Sequence, residues 1–82
     1  MKGGAILAEA WFMRVKHVRN QLGLSQAVFA ERLGVSDQTI AKWEIMAMRP
    51  YSRLAERFEY IEERVLSGEV RDPWEGLGEG VD

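Results

Sequence analysis

Residues 25–44 read SQAVFAERLGVSDQTIAKWE, in which Gly34 separates two runs that are each too short to enclose a core alone. Phe29, Ala30 and Leu33 recur at helical spacing before the glycine, and Ile40 and Trp43 do so after it. A serine precedes each run, and the hydroxyls of Ser25 and Ser36 can accept a hydrogen bond from an unpaired amide of the first turn. Gly34 tolerates the left-handed conformation that stops a helix. The expectation is two short helices, one from Ser25 to about Leu33 and one from Ser36, joined by a tight turn. Such a pair must lean on the rest of the chain.

Trp11, Val15, Val18 and Leu22 lie four, three and four residues apart, so a helix there turns one apolar stripe inward and ends at Gly23. Ile6, Leu7, Phe12 and Met13 add apolar surface beyond that stripe. Pro50 interrupts the chain after Trp43, and a last helix is expected from about Ser52 to Leu66. Leu54, Phe58, Ile61 and Val65 form its stripe, Tyr51 and Ala55 flank it, and EYIEER gives an acidic outer face. From Gly68 the text becomes GEVRDPWEGLGEGVD, with four of the eight glycines and no sustained period. This predicts a folded domain over residues 1–67 and an acidic, glycine-rich flexible tail over 68–82. No strand pattern or internal repeat occurs. The expected fold is all-α and compact, with four helices and five as the alternative.

An 82-residue chain without cysteine has room for one small domain, held by packing alone or with a second chain, and has no thiolate for metal or disulfide. No signal peptide is evident, and no run approaches the roughly 20 apolar residues of a membrane span. A soluble, cytoplasmic protein is expected. The net charge of −2 conceals two regions. Ten basic against eight acidic side chains leave residues 1–67 at +2, whereas one against five leave residues 68–82 at −4.

The geometry of the paired short helices constrains particular positions. Ala30 must be small where the helices cross, and Val35, Ile40 and Trp43 must pin the following helix down. That helix then presents Asp37, Gln38, Ala41 and Lys42 outward, with Ser36 and Thr39 beside them. The string RNQLGLSQAVFAERLGVSDQTIAKWE, residues 19–44, closely resembles the DNA-binding helix-turn-helix of the phage-repressor-like family, the Cro or XRE type, and a looser likeness covers about 14–66. The resemblance implies a lambda-repressor-like domain that binds double-stranded DNA. It also implies that Gln26 meets a phosphate and that Arg19 pairs with Glu44. An arginine beside the first stripe and a carboxylate directly after inward-facing Trp43 fit such a pair, because either charge left alone would be costly. Met46 stands where the family usually has a glycine, so the exit from the third helix is expected to differ.

A helix of this width enters the major groove. There Gln38 can bond adenine bidentately, Lys42 can reach guanine or phosphate, and Asp37 can accept from a cytosine amine or support the helix N-terminus. Thr39 or Ala41 can touch a thymine methyl, and Arg49 is a candidate for the phosphate backbone. Ile45, Met46 and Met48 are expected to cover the fourth helix, with a subunit interface as the alternative. The resulting expectation is a sequence-specific transcriptional regulator, a repressor or antitoxin-type autoregulator, acting as a homodimer on a near-palindrome. Trp11, Phe12, the N-terminal apolar residues or the far side of the last helix would supply the dimer contact. The acidic tail with Trp74 could fold onto a toxin or another protein partner. A protein-interaction module on the same fold, without DNA binding, is the rival. No enzyme, cofactor or metal site is expected: His17 is the lone histidine, and Ser25 and Ser36 are explained as caps.

Overall fold

The computed structural model describes residues 9–69 and 71–78. Four helices occur among them: α1 (Trp11–Leu22), α2 (Gln26–Leu33), α3 (Asp37–Trp43) and α4 (Arg53–Ser67). No strand is present in the described residues, and the fold is all-α. Ile6 and Leu7 lie outside the described residues.

Each helix boundary has a local cause. The Ser25 hydroxyl accepts from the Val28 amide at 3.2 Å, that of Ser36 from Thr39 at 3.1 Å, and that of Ser52 from Leu54 at 3.0 Å. Gly34, at φ 86°, ends α2 in the left-handed region and donates its amide back to Ala30 and Glu31. Along α4, Glu56 in the first turn and Arg64 in the last oppose the helix dipole with the favourable sign.

Phe58 occupies the centre of the core. Its ring meets Trp11 edge-on at 5.1 Å and lies 6.3 Å from both Phe29 and Trp43, while Trp11 and Trp43 meet at 5.3 Å. These four rings come from four different helices, so one cluster joins the whole bundle. Val15, Val18, Leu33, Ile40, Ala55 and Ile61 close around it, all buried. Leu54 and Val65, placed on the α4 stripe by spacing, are only partly buried, whereas Ala55 is fully enclosed and Tyr51 fully exposed.

Three features differ from the sequence reading. The outer face of α4 is not simply solvated, because two of its acids are bridged to other elements. Arg14 of α1 donates to Glu62 at 2.7 and 3.0 Å and to Glu59 at 3.0 Å, and Arg49 grips Glu59 with two bonds of 2.8 Å. Secondly, Ile45 and Met48 do not cover α4 and are 81% and 77% exposed; only Met46 packs on the core. The chain leaves α3 at Trp43 without needing glycine at position 46, since Glu44 caps it at φ −80°. The following carbonyls of Met46 and Ala47 then accept the amides of Phe12 and Trp11, at 2.8 and 3.0 Å, and so cap the start of α1.

The third difference concerns the tail. Residues 71–78 lie against α2 and α4, with Trp74 and Leu77 packed onto the core, where a free segment was expected. Glycine content concealed two apolar anchors and a row of main-chain carbonyls that α4 can grip. Removing the central ring has a large expected cost. Phe58→Ala should destabilise the fold by about 3–5 kcal/mol, and an unchanged urea midpoint would contradict this assignment of the core.

Candidate nucleic-acid interface

The short α3 is held from beneath and left bare above. Ile40 and Trp43 are buried, while Asp37, Gln38, Ala41 and Lys42 on the other side are exposed. Ser36 is also exposed, Thr39 is half-buried, and their hydroxyls lie 2.9 Å apart across the first turn. Gln26, Ala27, Asp37, Gln38 and Ala41 line one shallow groove, which brings the start of α2 beside the start of α3. Glycine-turn spacing produces this convergence: the reversal at Gly34 sets the two helix faces side by side.

A buried carboxylate fixes the angle between these elements. Glu44 is 3% exposed and directly follows α3. Arg19 of α1 donates Nε to its Oε2 at 2.6 Å and Nη2 to its Oε1 at 3.1 Å, and spends Nη1 on the carbonyl of Leu24 at 2.9 Å. Gln26 donates its amide nitrogen to Oε1 of the same carboxylate at 2.9 Å. One carboxylate thereby ties α1, the start of α2 and the end of α3 together. Burial pushes the Glu44 carboxyl up, but its bonds to the Arg19 guanidinium and the Gln26 amide outweigh that, and it is held below its ordinary value. Lys16 adds a smaller pull in the same direction, which places its charge near this cluster. Nothing in the periodicity singled out Lys16.

Gln26 thus has an anchoring bond in addition to the phosphate contact expected of it. The amide carries two hydrogens, and one is given to Glu44, which orients the other. Arg49 is engaged elsewhere. Its Nε and Nη2 bind Glu59 and its Nη1 donates to the carbonyl of Pro50 at 3.0 Å, so all three nitrogens serve the joint between the loop and α4. No spacing announces this pair, because Glu59 is ten residues away, on the acidic outer face of another element. Arg49 does not line the groove formed by Gln26, Asp37 and Gln38.

Residues 15–50 match the model of the helix-turn-helix family. This part of the chain is thus similar to a helix-turn-helix of the Cro/XRE type, and the match points to a DNA-binding transcription regulator. No curated protein and no solved structure matches the chain at a significant level.

Two outcomes follow from the Glu44 cluster. Arg19→Ala leaves a buried carboxylate unpaired and should cost about 3 kcal/mol, read as a lowered denaturation midpoint. A carboxylate whose value is lower folded than unfolded contributes stability that is present above its unfolded value and is lost as pH falls through the folded one. Glu44 is of this kind, so part of the wild-type stability should disappear on acidification below about pH 5. In Glu44→Gln the fall over that window should be smaller. Parallel stability–pH curves for the two chains would refute the coupling.

Proposed function

We propose that the protein is a sequence-specific DNA-binding regulator in which α3 enters the major groove. The observation that carries this reading is the bare face of α3, Asp37, Gln38, Ala41 and Lys42, with Gln26 held beside it by a buried carboxylate. A short helix clamped on one side and polar on the other has the shape and the donors for base edges. In this reading Gln38 pairs with adenine, Lys42 meets guanine or phosphate, and Asp37 accepts from cytosine. Thr39 or Ala41 touches a thymine methyl, Ser36 sits at the helix start, and the second amide hydrogen of Gln26 reaches a phosphate. Lys16 joins Lys42 as a source of positive potential, and Arg49 serves structure instead. No catalytic role is assigned to any residue.

The finer reading is a cytoplasmic homodimer acting as a repressor or antitoxin-type autoregulator on a near-palindrome with half-sites about 34 Å apart. No helix is long and apolar enough to cross a membrane among the described residues. Trp11 cannot contribute to the dimer contact, being 1% exposed in the core. Ile45, Met48 and Tyr51 are the exposed apolar side chains that favour self-association, through the loop that directly follows α3. Partner binding through the tail, to a toxin or another protein, would first require Trp74 to leave its present site against Phe29.

A second reading, a protein-interaction module without DNA binding, is favoured by the modest +2 of residues 1–67 and by Asp37 on the exposed face. Salt dependence separates the two, since phosphate contacts make affinity fall steeply as salt rises. Selection from random duplexes should recover a near-palindrome. Gln38→Ala should then lose about 1–3 kcal/mol and relax one base position, whereas Lys42→Ala, if on phosphate, should lower the salt slope by about one. No enriched sequence, with wild type and both variants equally weak, would transfer support to the interaction module.

A further inference from the structure

The last turn of α2 takes part of its support from residues far along the chain. The final carbonyls of a helix have no partner within it. Here the Gly34 amide bonds to those of Ala30 and Glu31 at 2.9 and 3.2 Å, and the Val35 amide bonds to that of Ala30 at 3.0 Å. The carbonyl of Leu33, immediately before the turn into α3, is reached from α4 instead. Arg57 donates Nε to it at 2.8 Å. Polar bonds therefore pin α2 at both ends, at Gln26 by the Glu44 carboxylate and at Leu33 by Arg57.

The segment after α4 aims that arginine. Arg57 donates Nη1 to the Leu77 carbonyl at 3.2 Å and Nη2 to that of Gly78 at 3.0 Å. A guanidinium is a rigid planar fork, so acceptors on two of its nitrogens fix the direction in which the third points. Those acceptors are themselves held. Trp74 lies 6.0 Å from Phe29 and beneath the Arg32 guanidinium at 5.3 Å, and Leu77 packs beside it on the core. The Tyr60 hydroxyl donates to the Glu75 carbonyl at 2.9 Å and Arg64 to that of Pro73 at 3.2 Å. Between the two apolar anchors Gly76 stands at φ +88°, and a Cβ there would come within 2.7 Å of the Tyr60 hydroxyl. The side chains of Arg71 and Glu75 remain exposed and take no part in this.

We propose that Arg57 and Trp74 are positioning residues for α3: residues 72–78 hold the Arg57 fork, the fork holds the end of α2 at Leu33, and the turn at Gly34 carries that placement to α3. The proposal rests on the reading of α3 as the helix that meets DNA. Both residues lie beyond residues 15–50, the part of the chain that matches the helix-turn-helix family, and neither lines the groove of Gln26, Asp37 and Gln38. Their effect on DNA is therefore indirect. With seven residues, α3 is too short to hold its own direction, and bidentate base contacts lose strength when the helix carrying them shifts. The Glu44 cluster fixes the end of α3, while Arg57 fixes the turn from which it starts.

The test uses the full chain, the duplex enriched from random sequences and a scrambled duplex of the same length. In Arg57→Lys and in Trp74→Ala, affinity for the enriched duplex should fall about tenfold. Affinity for the scrambled duplex and the dependence on salt should stay at wild-type values, because no phosphate contact is lost. A smaller folded fraction would instead weaken both duplexes in proportion. Glu75→Gln, an exposed change on the same segment, should match wild type throughout. Amide hydrogen exchange of the DNA-free protein gives a readout independent of the DNA reading: Gly34 and Val35 should exchange about fivefold faster in Trp74→Ala, with Val18 of α1 unchanged. The proposal is overturned if the folded variants keep the wild-type preference for the enriched duplex, or if exchange at Gly34 and Val35 is unaltered. Loss of folding in both variants also overturns it, because the segment would then support the whole domain and not one turn. A wild-type chain that prefers no duplex defeats the DNA reading, and exchange at Gly34 and Val35 then decides the coupling alone.

Discussion

A single carboxylate organises the part of the molecule that faces outward. Glu44 is buried, and burying a charge is costly unless it is paired and hydrogen-bonded. Arg19 and Gln26 meet that requirement from two other helices. The geometry of α3 relative to α1 and α2 is thus set by a group with strict angular demands, in addition to hydrophobic contacts that would tolerate sliding. Apolar packing beneath α3 supplies attraction, and the fork of Arg19 supplies register.

The aromatic cluster does different work. Trp11, Phe29, Trp43 and Phe58 each come from a separate helix and converge without a long apolar segment anywhere in the chain. Large rings let a small domain bury enough surface with few residues, which matters in a chain that has no cysteine to form a disulfide. Around this centre, Arg14, Arg49, Glu59 and Glu62 stitch α1 and the loop before α4 onto the α4 surface. These bonds are partly exposed, so their contribution is modest and lies more in orientation than in stability.

Local signals made most of the helical layout legible in the sequence. Serines at 25 and 36, glycines at 23 and 34, Pro50 and stripes at helical spacing announced the four helices. The Arg19–Glu44 contact was legible only through the family resemblance together with the neighbouring buried positions. What stayed hidden was long-range. Arg14 and Glu62 are 48 residues apart, and Arg57 and Leu77 are 20 apart, distances over which no periodicity carries information. Ile45 and Met48 misled in the opposite direction, because hydrophobic type was read as burial although they sit in a loop that turns its backbone inward and its side chains out.

That loop has an implication for how the protein can change over generations. The amides that open α1 are satisfied by the carbonyls of Met46 and Ala47, so the hydrogen bonds that join the start of α1 to the loop after α3 come from main chain. Main-chain bonds are indifferent to the side chains that project from them. Positions 45, 47 and 48 are exposed and free to drift in identity while those bonds persist, whereas a proline at 11 or 12 would remove a donor. The loop next to the candidate reading helix can therefore acquire new surface chemistry without the architecture having to be reinvented.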